Sequence, residues 1–156
     1  MTNTKRLLII SHAPSQNTGR MLEAVIRGAT NDDIENVDVR SISPLDTNPD
    51  DIKSAQALII GTTENLGYMA GLIKDVFDRC YYPCMDNTQG LPFTFYVRAG
   101  NDGTGTRRAI ESITTGLKWR LVQQPLICRG DFTEEFITQC EDLGMTMAAS
   151  LDAGIV

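Results

Sequence analysis

Hydroxyl and amide side chains crowd residues 11–19, between an apolar run at 7–10 and apolar residues of helical spacing at 21–26. We interpret these three segments as a buried strand, a loop and an amphipathic helix. The unpaired N–H groups and the dipole at the start of such a helix favour a phosphate in the loop. The loop residues that we assign to this candidate binding site are Ser11, Ala13, Ser15, Gln16, Asn17 and Thr18.

The composition of this loop limits its phosphate chemistry. No Lys or Arg lies between Ser11 and Gly19, so neutral dipoles rather than ion pairs would hold the phosphate. The loop has neither the Gly-Lys-Ser/Thr of a Walker loop nor the GxGxxG pattern of a dinucleotide site. It also lacks the cysteine and arginine of a phosphatase loop. A terminal phosphate monoester suits this composition, and an ordinary polar connection is the alternative.

Two further polar loops follow apolar runs, at 62–71 after the run 55–60 and at 98–106 after the run 93–97. Because the carboxyl ends of parallel strands share one edge of a sheet, we expect all three loops to meet there. The candidate binding residues in the second loop are Thr62, Thr63, Glu64, Asn65, Leu66, Gly67, Tyr68 and Met69. Those in the third loop are Ala99, Gly100, Asn101 and Gly103.

Strands alternate with helices along the whole chain, which predicts an α/β fold with helices on both faces of a parallel sheet. We expect one domain over 1–156, built as three layers around a doubly wound, five-stranded parallel sheet of order 2-1-3-4-5. The strands are predicted at 7–10, 37–42, 55–60, 93–97 and 126–128.

Charge and hydropathy exclude several partners. The chain has 156 residues, a net charge of −6 and a pI near 4.7, which argues against nucleic acid or an anionic membrane surface. No apolar run reaches the 18 residues of a membrane span, and the start of the sequence lacks a signal-peptide pattern. We therefore expect a cytoplasmic protein.

The cysteines and the single histidine do not form a recognisable metal or catalytic motif. Cys80 and Cys84 lie four apart around Pro83, which we expect to keep them from sharing a helix turn. Their spacing is not that of a zinc site, so packed, reduced thiols are the simpler interpretation. His12 lies beside the proposed phosphate, where an ordinary loop histidine is the simpler interpretation too. We assign no catalytic side chain and no metal.

These motifs resemble the flavodoxin-like FMN proteins, in particular the branch of multimeric flavodoxins, quinone oxidoreductases and NADPH-dependent FMN reductases. Ser11, Asn17 and Thr18 match that branch's phosphate loop, Ser-Pro-Arg-Lys-x-Gly-Asn-Thr, whereas Ala13 stands where many members have Arg. The block 61–79 is similar to the family's Gly-Ser-Pro-x-x-x-Gly-x-Met-Ser-Gly-x-x-Lys-x-Phe-x-Asp-Arg, with Thr63 in place of Pro. The third loop resembles the segment that meets the edge of the isoalloxazine ring.

The resemblance implies FMN as the cofactor, NAD(P)H as the electron source and a quinone, flavin or similar small molecule as the acceptor. It places the ribityl phosphate in the first loop and the ring between the second and third loops. Tyr68 would stack on the ring, because Asn65 and Leu66 stand where the family has aromatic residues. Glu64 and Asp102 would disfavour an anionic reduced flavin if they lay close to it, and solvated loop carboxylates are their ordinary role. A homodimer or homotetramer is implied as well.

Two other functions stay open. A flavodoxin-type electron carrier would bind FMN and exchange electrons with a redox partner protein, without NAD(P)H activity of its own. The other is a non-enzymatic protein, either a flavin-binding or sensor protein or a member of the fold that binds no flavin. Arginines at 79, 98, 107 and 108, which we expect near the site, favour the reductase, because carriers are commonly more acidic around the flavin.

Overall fold

The strands that form the sheet are built from the apolar runs of the sequence. The computed structural model describes residues 4–156. Its strands are β1 (Lys5–Ser11), β2 (Val37–Ile42), β3 (Ala57–Asn65), β4 (Tyr68–Met69), β5 (Pro92–Ala99), β6 (Arg120–Leu121) and β7 (Leu126–Arg129). Its helices are α1 (Gln16–Ala29), α2 (Pro49–Lys53), α3 (Gly71–Cys84), α4 (Thr104–Gly116) and α5 (Glu134–Asp152), with a short 3-10 helix at Pro44–Asp46.

The sheet has the order β2-β1-β3-β5, and both β6 and β7 pair with the outer side of β5. These pairings are all parallel, and only β4 is antiparallel, to β3. The fifth strand, predicted at 126–128, is β7, which lies beside the end of β5. The short strand β6, beside the start of β5, was not predicted. With this addition and that of β4, the predicted doubly wound order 2-1-3-4-5 is confirmed.

Alternate residues of the central strands enter two separate cores. Leu8 and Ile10 of β1 face the core shared with α3 and α4. Leu7 and Ile9 face the opposite core, shared with α1 and α5. All four side chains are buried, which explains why the strand reads as a continuous apolar run instead of an alternating one.

Two local predictions were wrong. The strand predicted at 55–60 is β3, which begins at Ala57 and continues past residue 60, because Thr62 and Thr63 extend the parallel pairing with β5 before the chain folds back. α3 also runs through Pro83 to Cys84 and so includes both cysteines. A proline in the last turn of a helix removes a single ladder bond and has almost no helix after it to disrupt. All four cysteines of the chain are buried and free.

Between residues 4 and 156, no helix combines the length and the apolar character needed to cross a membrane.

Candidate functional site

The register of the sheet brings three strand exits together. Ser11 at the end of β1 is opposite Gly61 of β3, and Gly61 is opposite Tyr96 of β5. The loops that follow β1, β3 and β5 therefore leave the same edge of the sheet, side by side. This is the arrangement that we predicted for the three polar loops.

A buried hydroxyl pair lies beneath this edge. Ser11 Oγ and Tyr96 Oη are 2.8 Å apart, and both side chains are buried. The pair crosses over Gly61, where a Cβ atom would lie 2.3 Å from the Tyr96 ring and 2.5 Å from Ser11 Oγ. Burial raises the pKa of Tyr96 well above its usual value, so its phenol stays protonated. The Ser11 hydroxyl is thus already hydrogen-bonded inside the protein.

The first loop ends in a capped helix whose first turn has backbone N–H groups without an intrahelical partner. Ser15 is the N-cap of α1, and its Oγ accepts from Thr18 N, while Thr18 Oγ1 accepts from Ser15 N at 2.9 Å. The first intrahelical bond runs from Gly19 N to Ser15 O. The N–H groups of Gln16 and Asn17 precede it, so they have no partner within the helix. Both residues are exposed, and the first turn of α1 contains no acidic residue.

The Thr18 side chain, which we expected to donate to a phosphate, points into the loop and not toward solvent. It is buried, and its hydroxyl lies 2.8 Å from Ser15 Oγ and 3.1 Å from Ser15 O. Thr18 therefore shapes the loop from inside. The Ser15 hydroxyl is engaged with Thr18, so the exposed donors of this loop are the backbone N–H groups and the side-chain amides of Gln16 and Asn17.

A groove of about 330 Å³ opens beside the first loop. Ala13 and Pro14 form one side of it, and Ser43 and Leu45, which follow β2, form another. Ala13 stands where many members of the family that the sequence resembles have Arg, so the side of the groove formed by Ala13 and Pro14 has no cation. The groove is mostly apolar, and the exposed Leu45 adds to that character.

The second loop is a β-hairpin, which the sequence analysis did not predict. β3 and β4 pair over two residues each, and Leu66 and Gly67 form the turn with φ of 54° and 76°. A two-residue turn of this kind needs positive φ, which leucine rarely adopts, so the Leu-Gly pair gave little signal. At the base, Thr62 Oγ1 accepts from Ala70 N at 3.0 Å.

The hairpin has a fixed base and an exposed tip. Met69 and Ala70 are buried in the core at its base. Tyr68, the proposed stacking residue, is 39% exposed, and Leu66 at the tip is completely exposed. Asn65 comes directly before Leu66 in the chain, and its Oδ1 accepts a hydrogen bond from Thr63 Oγ1 at 2.8 Å.

Glu64 joins the hairpin directly to the third loop. Its Oε1 accepts from Asn101 N at 2.8 Å, and its Oε2 accepts from Gly103 N at 2.8 Å. Gly103 is the N-cap of α4 and has φ of 71°. A carboxylate at the start of a helix is favoured by the helix dipole and by the unpaired N–H groups there. Glu64 is therefore more than the solvated loop carboxylate that we expected.

The neighbouring carboxylate, Asp102, has a local role. It accepts from Thr104 N at 3.0 Å, and this hydrogen bond lowers the pKa of Asp102 below its usual value. Its backbone carbonyl accepts from Arg129 Nε at 2.8 Å. These bonds fix the third loop at the point where α4 begins.

The tip of the hairpin also rests on α4. A Cβ atom at Gly105 would lie 2.0 Å from the carbonyl oxygen of Gly67, so the two backbones meet at a position that excludes any side chain. The next residue, Thr106, is fully buried, and its hydroxyl has no hydrogen-bond partner among residues 4–156. The sequence analysis missed Tyr96 and Gly105, because their contacts join residues that are distant in the chain.

Three of the four arginines that favoured a reductase are engaged in the protein. Arg79 donates to two backbone carbonyls, at 2.6 and 2.9 Å, and to an aspartate one turn away. Arg98 donates to two carbonyls, at 2.9 and 3.1 Å, and lies over two phenylalanine rings. Arg107 donates to a glutamate on its own helix at 2.8 Å. Arg108 is exposed.

Comparison with known proteins identifies the fold. No protein-family model and no curated protein sequence matches the chain. A flavodoxin from the domain Archaea matches with a TM-score of 0.75 and 22% identity over 93% of this chain and 97% of that chain. A WrbA-like flavodoxin from Agrobacterium tumefaciens matches with a TM-score of 0.70 and 15% identity, over 94% and 96%. The apo form of an NADH:FMN oxidoreductase matches with a TM-score of 0.71 and 17% identity, over 94% of this chain and 90% of that chain. The chain has the flavodoxin-like fold, as the resemblance implied.

Proposed function

We propose that this chain binds FMN at the carboxyl edge of its sheet and passes electrons from NAD(P)H to a quinone, a flavin or a similar small acceptor. The observation that carries the proposal is the presence of two groups of backbone N–H donors at one edge. One group begins α1, and the other lies at Asn101 and Gly103 before α4. A flavin mononucleotide has a phosphate for the first group and an acceptor-rich ring edge for the second.

The first group fits a phosphate in its present form. The N–H groups of Gln16 and Asn17 are open, and the capping bonds between Ser15 and Thr18 hold the turn that presents them. Helix α1 has 14 residues, so its dipole contributes at this end. The loop itself contains no cation, and these neutral donors would carry the binding of the phosphate.

The second group fits a ring edge in donor type, and the Glu64 carboxylate occupies it in this structure. Two backbone N–H groups that both reach one carboxylate can equally donate to neighbouring carbonyl and nitrogen acceptors on a planar ring. Tyr68, on the same hairpin and partly exposed, supplies an aromatic surface.

A bound flavin supplies the redox chemistry, and the protein supplies the orientation and the electrostatics that adjust its potential. The names of the similar structures include flavodoxins and an NADH:FMN oxidoreductase, which supports FMN as the ligand and electron transfer as its use. The mostly apolar groove beside Ala13 suits a planar acceptor adjacent to the phosphate loop.

The proposal is tested by reconstituting the purified protein with FMN, desalting it and recording its absorbance. We expect a retained flavin band that bleaches when NADH or NADPH is added without oxygen, faster than free FMN at the same concentration. A protein that leaves the column without flavin would refute FMN binding. A retained band that does not bleach would refute the reductase and leave the carrier.

The electron carrier is the second candidate, and one structural observation favours it. Arg79, Arg98 and Arg107 are bonded within the protein, so they offer less attraction to a pyridine nucleotide than the sequence suggested. With a net charge of −6, the chain would suit a basic redox partner protein. The bleaching experiment separates this carrier from the reductase.

We also propose that the protein self-associates as a homodimer or homotetramer, as the resemblance implies. Tyr82 is 77% exposed and packs edge-on against Tyr81, which gives α3 an aromatic surface suited to a second subunit. Light scattering should give a mass of two or four chains. A mass near 17.2 kDa would refute self-association.

A further inference from the structure

We propose that Glu64 is an internal competitor for the flavin site: its carboxylate occupies the donors that the ring needs, and the ligand must displace it. This inference rests on the proposed binding of FMN at this edge. It assigns to the hairpin a closed state, which is the structure described above, and an open state in which the Asn101 and Gly103 N–H groups are free.

The contact between Glu64 and the third loop uses both oxygens of the carboxylate. Each oxygen of the Glu64 carboxylate accepts one backbone N–H at 2.8 Å, so both donors are satisfied in the closed state. Hydrogen bonds to an ionised acceptor are stronger than those to a neutral one. A neutral ring acceptor that replaces the carboxylate therefore gains less than the full value of the new bonds.

The tip of the hairpin lies against the first turn of α4. The carbonyl of Gly67 lies against the Cα atom of Gly105 in the first turn of α4, so the hairpin directly covers the start of that helix. A ring placed between the second and third loops would need this space. The tip and the Glu64 carboxylate thus obstruct the same place in two ways.

The hairpin is fixed at its base and held loosely beyond it. The base is fixed by the buried Met69, which pairs with Glu64, and by the hydrogen bond from Ala70 N to Thr62 Oγ1. Beyond this point the ladder has one further residue pair, Asn65 with Tyr68, and Leu66 in the turn is fully exposed. The two hydrogen bonds of Glu64 join the hairpin to the third loop, so their release would let the hairpin separate from that loop.

The charge of Glu64 adds a second cost for the ligand. FMN carries a negatively charged phosphate, and Asp102 already lies in the third loop. Removing the Glu64 charge would therefore favour FMN even without any opening of the hairpin. The test must separate this general electrostatic effect from the release of the two N–H groups.

The test compares wild type, Glu64→Ala and Glu64→Gln, with Asp102→Asn as a matched control that removes a carboxylate charge from the same region. FMN affinity is measured by quenching of flavin fluorescence. Exchange of the Asn101 and Gly103 amide protons is measured by NMR without ligand. We expect Glu64→Ala to bind FMN about tenfold more tightly than wild type and to exchange both amides at least about tenfold faster.

Glu64→Gln should lie between wild type and Glu64→Ala, since its amide keeps one acceptor oxygen and loses the charge. Asp102→Asn should stay within about twofold of wild type in FMN affinity. A merely structural bridge would behave in the opposite way, because its loss would loosen the site and weaken FMN binding.

Equal or weaker FMN binding by Glu64→Ala would overturn the competition and leave the proposed function intact. An equal gain in affinity for Asp102→Asn and Glu64→Ala would overturn it as well, since charge alone would then explain the effect. Failure of every variant to bind FMN would overturn the proposed function and the competition together.

Discussion

The loops after β1 and β5 both present backbone N–H groups at the same edge of the sheet, yet they differ in what those groups contact. At the start of α1, a capping box orients the turn, and the donors of Gln16 and Asn17 face outward. At the start of α4, the donors of Asn101 and Gly103 are bonded to Glu64. The donors of the first region are therefore open, whereas those of the second are bonded to a side chain of the protein itself.

Under the proposed function, this difference divides the binding of the ligand between two regions of one edge. A site that is open and pre-organised provides affinity at little conformational cost. When an internal group closes a site, the apparent affinity equals the intrinsic affinity multiplied by the fraction of time that the site is open. We infer that phosphate capture and ring docking are energetically distinct steps in this protein.

The largest expected effect concerns Gly61, which lies between the two regions. Its replacement by Ala would drive a methyl group into the Ser11–Tyr96 pair, at 2.3 Å from the Tyr96 ring. We expect Gly61→Ala to lower the free energy of unfolding by about 3 kcal/mol, as overpacking of a buried site does. Urea unfolding measures this, with Gly71→Ala as the control, because a Cβ at Gly71 would have no atom within 4 Å. An equal loss in both variants would show that the hydroxyl pair does not need the glycine.

The next effect is on the open region. Thr18→Ala removes the side chain that bonds Ser15 from within the loop, so we expect a loss of about 1 kcal/mol in unfolding free energy, as for other helix caps. We also expect roughly tenfold weaker FMN binding and unchanged riboflavin binding, since riboflavin lacks the phosphate. Thr18→Ser is the control, because it keeps the hydroxyl. Loss of the Thr18 side chain should therefore weaken FMN binding, whereas loss of the Glu64 side chain should strengthen it, so substitutions in the two regions change FMN affinity in opposite directions.

The smallest effect is on the closed region and depends on pH. The hydrogen bond from Thr104 N lowers the pKa of Asp102 from 3.8, so the folded state binds the proton less tightly than the unfolded state. The resulting stabilisation is fully present above the pKa of Asp102 in the unfolded chain, and it is lost as the pH falls through the lower pKa of Asp102 in the folded protein. Asp102→Asn should therefore be slightly less stable than wild type near neutral pH, and the two unfolding curves should converge in acid. A difference that grows in acid would contradict this role.

The sequence was sufficient for the fold because the central strands are buried on both faces. Continuous apolar runs such as 7–10 predict such strands directly, and the helices between them predict the parallel order. The hairpin was not predicted, since Leu66 adopts a positive φ that its residue type disfavours. Local pattern thus predicted the elements and missed a turn that depends on the surrounding structure.

The location of the candidate site could be predicted from the sequence, but most of the contacts between its residues could not. The three polar loops could be assigned to one edge from strand order alone. Ser11 and Tyr96 are separated by 85 positions in the chain. Glu64 is separated from its two partners in the third loop by 37 and 39 positions. No local pattern encodes such distances, so the internal role of Glu64 required the three-dimensional structure.

The central claim is that the start of α1 binds the phosphate of a flavin mononucleotide, and a calorimetric comparison of FMN with riboflavin tests it most directly. The two ligands share the ring and the ribityl chain and differ in the phosphate. We expect wild type to bind FMN at least about 100-fold more tightly than riboflavin, which corresponds to about 2.7 kcal/mol. Equal affinity for the two ligands would contradict the phosphate site and, with it, this account of the protein.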